Sequence, residues 1–198
     1  MNEEFLNNIV NKPISKCMLS DIEGWCNHRP LMYIALELTK QSTKPILELG
    51  CGYGSTKQLH EYLEDDGRKL ISFDTDENWL NTFKHLEAPN HSLIYKQDKD
   101  TTEWLKEITS NEISVCLVDH APGERRHSDI QLIHEKCDIL VIHDSEPEAT
   151  GYMLDKIWHL FKYRLDIKRN GAWATMVSNK YDFVGFNNLV ISNQKLST

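Results

Sequence analysis

The sequence contains no run approaching the ~18 to 20 consecutive apolar residues that span a membrane. Its first residues, MNEEFLNNIVNKP, carry two early acids and no apolar stretch, which is not the pattern of a secretory signal. These absences predict a soluble, cytoplasmic protein without a membrane partner. The 198 residues, 40% of them hydrophobic, are enough for one compact unit with a sizeable core.

Clustered basic residues are also scarce. The net charge is −8 at pH 7, and basic residues are dense only at Arg125-Arg126 and over residues 162–169. Because nucleic-acid binders draw most of their affinity from neutralised phosphates, we expect no nucleic-acid partner and a small-molecule substrate instead. Arg125 and Arg126 could hold an anionic substrate, but we favour a solvated surface position for both.

Cysteine pairs are missing as well. The five cysteines are odd in number, scattered, and never spaced as C-x-x-C, which argues against a disulfide framework or a structural zinc site. Cys116 and Cys137 fall inside apolar runs, and we expect both to be small buried side chains.

Short apolar segments alternate with amphipathic stretches from residue 45 onward. We predict strands at residues 45–49, 69–74, 92–96, 113–119 and 138–144, and helices at residues 55–64, 77–86, 102–108, 128–136 and 149–161. Two last strands, YRLDIK and AWATMVS, are joined by Asn170-Gly171, a turn typical of a hairpin. The pattern predicts an α/β fold with a doubly wound, mostly parallel seven-stranded sheet and an antiparallel edge hairpin.

The segment before this sheet reads differently. Apolar residues recur at helical spacing over residues 3–42, and Pro30 suits the first turn of the second helix there. We therefore predict an N-terminal helical extension at residues 1–44 and a ligand-binding domain at residues 45–198, packed as one unit.

The stretch ILELGCGYGST places three alternate glycines between the first strand and the first helix of the sheet. Gly50, Gly52 and Gly54 permit a tight turn and close approach of the main chain to a ligand at the carboxyl end of the strand. The dinucleotide fingerprint G-x-G-x-x-G would need a glycine where Ser55 stands. Glu48 would repel a pyrophosphate, whereas it suits a ligand that carries positive charge.

This pattern resembles the class I S-adenosylmethionine-dependent methyltransferases, whose first motif is an acid followed by x-G-x-G-x-G. The resemblance covers roughly residues 45–179 and implies a Rossmann-like methyltransferase fold, with the N-terminal extension as a lid. It also implies S-adenosylmethionine as cofactor, whose ammonium and sulfonium groups account for the acid. An acid that ends the second strand would bind the ribose, and one after the third strand would lie near the adenine amine. The implied cofactor-binding residues are Glu48, Gly50, Gly52, Gly54, Ser55, Asp74, Thr75, Asp98 and Asp119.

Acid and histidine pairs end the fourth and fifth strands, as Asp119-His120 and His143-Asp144. If these strands are neighbours, Asp119 and Asp144 lie side by side and are close enough to bridge one cation, such as Mg²⁺ or another divalent ion. The catechol-type metal-dependent O-methyltransferases are similar in this respect, but the lysine base of that family is missing here. His120 or His143 could take the proton instead. Strand alternation would send His143 and Asp144 to opposite faces.

The sequence thus predicts a methyltransferase that acts on an oxygen of a small molecule, with Asp119, His120, His143 and Asp144 as catalytic candidates and Asp119 and Asp144 as metal ligands. One alternative is a nicotinamide-dependent oxidoreductase. Another is a cofactor-binding relative without catalysis that acts through a protein partner. The acceptor remains open, as does the choice between a monomer and a homodimer.

Overall fold

The computed structural model describes residues 26–97, 112–147, 150–169, 171–183 and 186. Three features of the sequence prediction lie outside these residues: most of the N-terminal extension, the helix expected at residues 102–108, and the cofactor candidate Asp98.

Seven strands form a single sheet. They are β1 (Ile46–Leu49), β2 (Leu70–Asp74), β3 (His91–Tyr95), β4 (Ile113–Val118), β5 (Cys137–His143), β6 (Tyr163–Arg169) and β7 (Ala172–Ser178). The spatial order is β3-β2-β1-β4-β5-β7-β6. Strands β1 to β5 are parallel, and β7 runs antiparallel to both β5 and β6. The predicted doubly wound sheet with an antiparallel edge hairpin is confirmed.

The central strands are apolar throughout because both faces of the sheet are covered. Every residue of β1, β4 and β5 is buried. Alternate residues of each strand enter two different apolar layers, with Ile46 and Val115 on one face and Leu47 and Cys116 on the other. This is the burial expected of a parallel sheet between helices.

Among the described residues, four α-helices cover the sheet: α1 (Arg29–Leu38), α2 (Thr56–Leu63), α3 (Glu77–Asn81) and α4 (Arg126–Ile133). Helix α1 has Pro30 in its first turn, as predicted. It is buried from Arg29 to Glu37 and shares one apolar layer with α2. The other face is covered by α4. No helix in the described ranges is both long enough and apolar enough to cross a membrane.

The single helix predicted at residues 149–161 is wrong. Three short 3₁₀ turns occupy this stretch instead, at Thr150–Tyr152, Leu154–Lys156 and Trp158–Leu160. Met153 adopts a left-handed conformation with φ of +51°, which interrupts a helix after one turn. Ile157, with φ of −114°, ends the second turn, and its side chain is buried in the same apolar layer as α4. The apolar residues of this segment are thus buried one at a time from separate turns, and their spacing only resembles that of a helix.

The predicted burial of Cys116 and Cys137 is confirmed. Cys116 and Cys137 are buried, and Cys26, Cys51, Cys116 and Cys137 are free thiols. Burial raises the pKa of the Cys116 thiol well above its ordinary value, so this group is an inert part of the core.

Candidate functional site

The predicted site residues gather where four parallel strands end. Gly50 directly follows β1, Asp74 ends β2, Asp119 directly follows β4, and His143 ends β5. In an open α/β sheet this edge is where ligands bind.

The first glycine of residues 50–54, the glycine loop, is required by the protein's own backbone. Gly50 has a φ of +93°, and a Cβ atom on it would lie 2.6 Å from the carbonyl oxygen of Asp119 and 2.7 Å from Cα of His120. The loop therefore packs directly against the exit of β4. Close approach to a ligand, the reason expected from sequence, is not what fixes a glycine here.

Gly52 differs from Gly50. It does not adopt a left-handed φ, and a Cβ atom on it would make only ordinary contacts, the nearest being Ser55 Oγ at 3.8 Å. Neither the fold nor the backbone conformation requires glycine at this position.

Glu48 lies fully buried beneath the glycine loop. Its Oε1 accepts hydrogen bonds from Ser55 Oγ at 2.6 Å and Thr56 Oγ1 at 3.1 Å, and Thr56 Oγ1 in turn accepts from the Gly52 N–H at 2.8 Å. Its Oε2 has no hydrogen-bond partner among the described residues. Burial raises the pKa of Glu48 from 4.5 to about 7, although the neighbouring hydroxyls lower it. Glu48 thus sets the loop conformation and keeps one oxygen unpaired.

Asp74 supports the loop from β2. Its Oδ2 accepts from the Cys51 N–H and its Oδ1 from the Asp76 N–H, both at 2.9 Å. Burial raises the pKa of Asp74, against the effect of these donors. Next to it, the Thr75 hydroxyl donates to the carbonyl of Ala121 at 3.1 Å, which links the ends of β2 and β4.

The helical spacing of Trp79, Leu80 and Phe83 in the sequence predicts core positions for all three, and for Trp79 this prediction is wrong. Its side chain is 36% exposed, and its indole Nε1 donates to the Cys51 carbonyl at 2.7 Å. The ring also meets the exposed Tyr53 edge to face, at 5.2 Å between centroids. Trp79 therefore braces the outside of the glycine loop, whereas Leu80 and Phe83 from the same stretch are buried as predicted.

A further support for the loop was missed in the sequence. Arg29, the first residue of α1, donates from Nε to the Gly54 carbonyl at 2.7 Å and from Nη2 to the Tyr53 carbonyl at 3.3 Å. No local pattern links residue 29 to residue 54, so only the folded chain reveals this contact.

Residues at the ends of β4 and β5 form a charged cluster. His143 Nδ1 lies 3.1 Å from Oδ1 of Asp119 and 3.1 Å from Oδ1 of Asp144. Alternation had placed His143 and Asp144 on opposite faces, but Asp144 has a φ of +50°, which turns its carboxylate back towards the imidazole. Burial opposes protonation of His143, yet the two carboxylates raise its pKa to about 10. Burial likewise opposes ionisation of Asp119, but His143 and Arg126 hold the pKa of Asp119 below its ordinary value.

Arg126 completes the cluster, contrary to the expected surface position. The side chain is buried, as is that of Arg125. Its Nη2 lies 3.0 Å from Asp119 Oδ1 and its Nη1 lies 3.6 Å from Asp144 Oδ2. The guanidinium also donates to the carbonyls of His120 and His143. The sequence did contain a signal for this position. Two neighbouring carboxylates need a cation to balance their charge, and Arg125 and Arg126 follow Asp119 closely in the sequence.

His120 does not join this cluster. It is buried against α4, where its Nε2 lies 2.8 Å from Asp129 Oδ2. Of the two histidines considered as bases, only His143 contacts Asp119 and Asp144.

His28 is the second residue that sequence reasoning missed. Its ring meets that of His143 edge to face, with centroids 4.9 Å apart and an interplanar angle of 89°. The side chain is 1% exposed, and neither ring nitrogen makes a hydrogen bond with a described residue. Burial, followed by the charge of His143, lowers the pKa of His28 to about 3. We name His28, Asp119, Arg126, His143 and Asp144 the β4–β5 cluster.

Two arrangements for a cation can be compared in this cluster. In the first arrangement, a magnesium ion would bridge the carboxylates of Asp119 and Asp144. His143 and Arg126 already supply positive charge there, so the ion would have to displace the guanidinium. His28, Asp119 and His143 instead each offer one ligand atom within 4.8 Å of the others.

A cavity of about 550 Å³ begins at Ser145, the residue after Asp144, but none of its described lining residues belongs to the β4–β5 cluster or to the glycine loop. It is lined by residues 145–147 and 153–156, together with Trp158 and Arg164. Arg164 lies over the Trp158 ring at 3.8 Å from its centroid. The cavity thus combines an aromatic wall with charged groups.

No protein-family model matches the sequence, and no curated protein is significantly similar to it. Solved structures do match the fold. The METTL16 methyltransferase domain has a TM-score of 0.58 at 13% identity, over 77% of this chain and 67% of that chain. An O-methyltransferase from Bacillus cereus in complex with S-adenosylhomocysteine has a TM-score of 0.55 at 11% identity, over 90% and 92% of the two chains.

A third match is a putative ribosomal RNA methyltransferase from Plasmodium falciparum, with a TM-score of 0.51 at 16% identity, over 79% of this chain and 96% of that chain. Identities this low establish architecture, and the three proteins are named for different acceptors or for none. The chain has the Rossmann-like fold of the S-adenosylmethionine-dependent methyltransferases.

Proposed function

We propose that the protein is an S-adenosylmethionine-dependent methyltransferase that methylates an oxygen atom of a small molecule. The observation that carries this proposal is that position 52 is a glycine. Because neither its backbone conformation nor its neighbours require glycine, we attribute the missing side chain to a ligand that lies against the loop. The fold supports S-adenosylmethionine as that ligand, since an O-methyltransferase with this fold binds S-adenosylhomocysteine.

The cofactor roles follow from which residues lie at the ends of β1 and β2. The glycine loop and the unpaired Glu48 Oε2 would face the cationic methionine part, with Ser55 fixing the carboxylate. Asp74 and Thr75 would hold the ribose. Each Asp74 oxygen accepts one backbone N–H and keeps a second lone pair for a ribose hydroxyl. Asp98 keeps the adenine role that the family resemblance implies.

The acceptor would lie at the β4–β5 cluster. Asp119 directly adjoins Gly50, so a group bound there is next to the cofactor's methyl group. Transfer is an in-line displacement at the sulfonium methyl, in which the protein's main contribution is alignment. We assign orientation of the acceptor to Asp119, His143 and Asp144, removal of its proton to the two carboxylates, and a supporting role beneath them to His120.

A small acceptor is favoured over RNA by charge. The net charge of −8 opposes binding of a polyanion. The ribosomal RNA methyltransferase among the structural matches makes RNA the acceptor class to test against this proposal.

Gly52→Ala tests the proposal, because this variant should fold normally and fail to bind the cofactor. We expect its urea unfolding midpoint to equal that of the wild type, while its affinity for S-adenosylhomocysteine, measured calorimetrically, falls by about a hundredfold. Gly151→Ala is the matched control, since a Cβ atom there would meet nothing within 4 Å and one on Gly52 would make only ordinary contacts. This control should leave binding unchanged.

Four outcomes would overturn the assignment or part of it. Wild-type binding by Gly52→Ala would remove the argument for a ligand at the loop. Binding of NAD in place of S-adenosylhomocysteine would favour an oxidoreductase. Methyl transfer from labelled cofactor to RNA, but not to a panel of phenols, catechols and carboxylic acids, would overturn the small-molecule acceptor. Cofactor binding without transfer to any acceptor would favour a non-catalytic relative.

A further inference from the structure

Two buried imidazoles of the β4–β5 cluster present nitrogens without a partner. Neither ring nitrogen of His28 makes a hydrogen bond with a described residue, and the same holds for Nε2 of His143. Both side chains are more than nine-tenths buried, and the rings lie 4.9 Å apart. Buried polar atoms are rarely left unsatisfied, which makes these two imidazoles candidates for binding a further group.

The other side of the His143 ring is already fixed. Nδ1 lies 3.1 Å from carboxylate oxygens of Asp119 and Asp144. Ionised carboxylates only accept hydrogen bonds, so Nδ1 carries the proton and donates. An ion bound between Nδ1 and Asp119 Oδ1 would take the place of this proton, since two atoms 3.1 Å apart are about as close as two ligands of one tetrahedral ion, ~3.3 Å.

The charges around the imidazoles also suit a cation. Asp119 and Asp144 contribute two negative charges, and Arg126 balances one of them. A metal ion binds imidazole in its neutral form, and with His143 in that form the cluster has one negative charge in excess. Since His28, Asp119 and His143 each place one ligand atom within 4.8 Å of the others, a divalent ion can be reached by all three after small side-chain shifts.

We infer that His28, Asp119 and His143 form a binding site for a divalent ion of the zinc, iron or manganese class. Two imidazoles and one carboxylate suit these borderline cations, whereas Mg²⁺ prefers oxygen ligands. The ligand set differs from the Asp119–Asp144 pair expected from sequence, because Arg126 occupies the side between the carboxylates. The site includes a residue from the segment before the sheet.

His28 couples such an ion to the glycine loop. The next residue, Arg29, holds the carbonyls of Gly54 and Tyr53, so the ion and the loop are joined through two consecutive residues of one chain segment. If the proposed methyl transfer is correct, the ion would bind the acceptor oxygen beside the methyl group and favour its ionised form. Metal binding itself does not depend on that role.

The test measures metal binding without cofactor. Chelator-treated wild-type protein should bind one equivalent of Zn²⁺ or Co²⁺ by calorimetry and show a higher unfolding temperature with either ion than with Mg²⁺. Bound Co²⁺ should give the visible absorption bands of a nitrogen- and oxygen-ligated site. His28→Ala and His143→Ala should each weaken Zn²⁺ binding at least a hundredfold and abolish these bands. His28→Gln serves as a second variant if His28→Ala does not fold.

His127→Ala is the matched control, since this histidine lies on α4 outside the cluster, and it should bind Zn²⁺ like the wild type. The inference is overturned if no ion binds, if the His28 variants bind Zn²⁺ normally, or if Mg²⁺ stabilises wild type and His28→Ala alike. Failure of S-adenosylhomocysteine binding with intact Zn²⁺ binding would instead overturn the proposed function alone.

Discussion

The glycine loop and the β4–β5 cluster lie at the same edge of the sheet but are built in opposite ways. Hydrogen bonds that fix the loop through Glu48 and Thr56 join residues 4, 7 and 8 positions apart. The cluster joins Asp119 to His143 across 24 positions and also recruits His28 from before the sheet. The inner network of the loop is local in sequence, although Asp74, Trp79 and Arg29 support it from outside. The cluster exists only in the folded chain.

This difference explains where unpaired atoms remain. In the loop, a short-range network satisfies most polar groups and leaves one Glu48 oxygen unpaired. In the cluster, three imidazole nitrogens of His28 and His143 have no partner. A locally built region can therefore hold its shape before any ligand binds, whereas we expect the cluster to gain more order from what binds it.

The largest effect is expected where the two regions touch. Gly50→Ala should lower the free energy of unfolding by about 4 kcal/mol, because a left-handed φ costs roughly 1 to 2 kcal/mol and the added Cβ overlaps backbone that cannot rotate away. Urea unfolding measures this change.

Gly67→Ala separates the two contributions to this loss. Gly67 has a φ of +79° but open space around its Cβ position, so its loss should be only about 1 kcal/mol. Equal losses in both variants would show that contact between loop and cluster does not constrain Gly50.

A smaller effect should come from breaking the cluster alone. Arg126→Met keeps an apolar stem but leaves Asp119 and Asp144 with His143 as their only cationic neighbour in the cluster, and leaves two backbone carbonyls without their donor. We expect a loss of about 3 kcal/mol by urea unfolding, reduced from the fully buried case because both carboxylates are partly exposed.

The matched control for Arg126 is Arg164→Met. Arg164 pairs with Asp166 at 2.8 Å, but both side chains are about one-third exposed, so its loss should stay below about 1 kcal/mol. A loss for Arg126→Met no larger than this control would mean that the cluster does not depend on its guanidinium.

The difference between contacts that are local in sequence and contacts that form only on folding also separates what the sequence could predict from what it could not. The seven strands and their hairpin follow from continuous apolar runs and from the Asn170-Gly171 turn, which are local signals. Glu48 and the glycine loop were recognisable for the same reason. Arg126 and His28 were not, because their roles depend on strand order and on the packing of α1 rather than on neighbouring residues.

Local apolar spacing also misled at one place. Leu154 and Ile157 are buried in separate turns, and spacing alone does not reveal that Met153 is left-handed between Tyr152 and Leu154. Helical periodicity is thus reliable where a long helix packs, as in α1, and weak where single side chains anchor short turns.

The smallest of the three effects concerns the loop and depends on pH. The fold raises the pKa of Glu48 from 4.5 to about 7 by burial, so between these values the native state holds the proton more tightly than the unfolded chain does. Ionisation of Glu48 therefore makes the wild type less stable as pH rises. Glu48→Gln cannot ionise, and its free energy of unfolding relative to wild type should increase by about 2 kcal/mol between pH 5.5 and pH 8.

Comparison at each pH with wild type cancels the titration of other groups, such as His91, whose pKa burial lowers to about 4. Gln retains an oxygen for Ser55 and Thr56, so the loop should keep its conformation while the negative charge is lost. Affinity for S-adenosylhomocysteine, whose ammonium group remains cationic, should then fall most above pH 7, where the wild type is ionised. A stability difference that does not vary with pH would mean that Glu48 is already charged in the fold, and the local network alone would then account for its position.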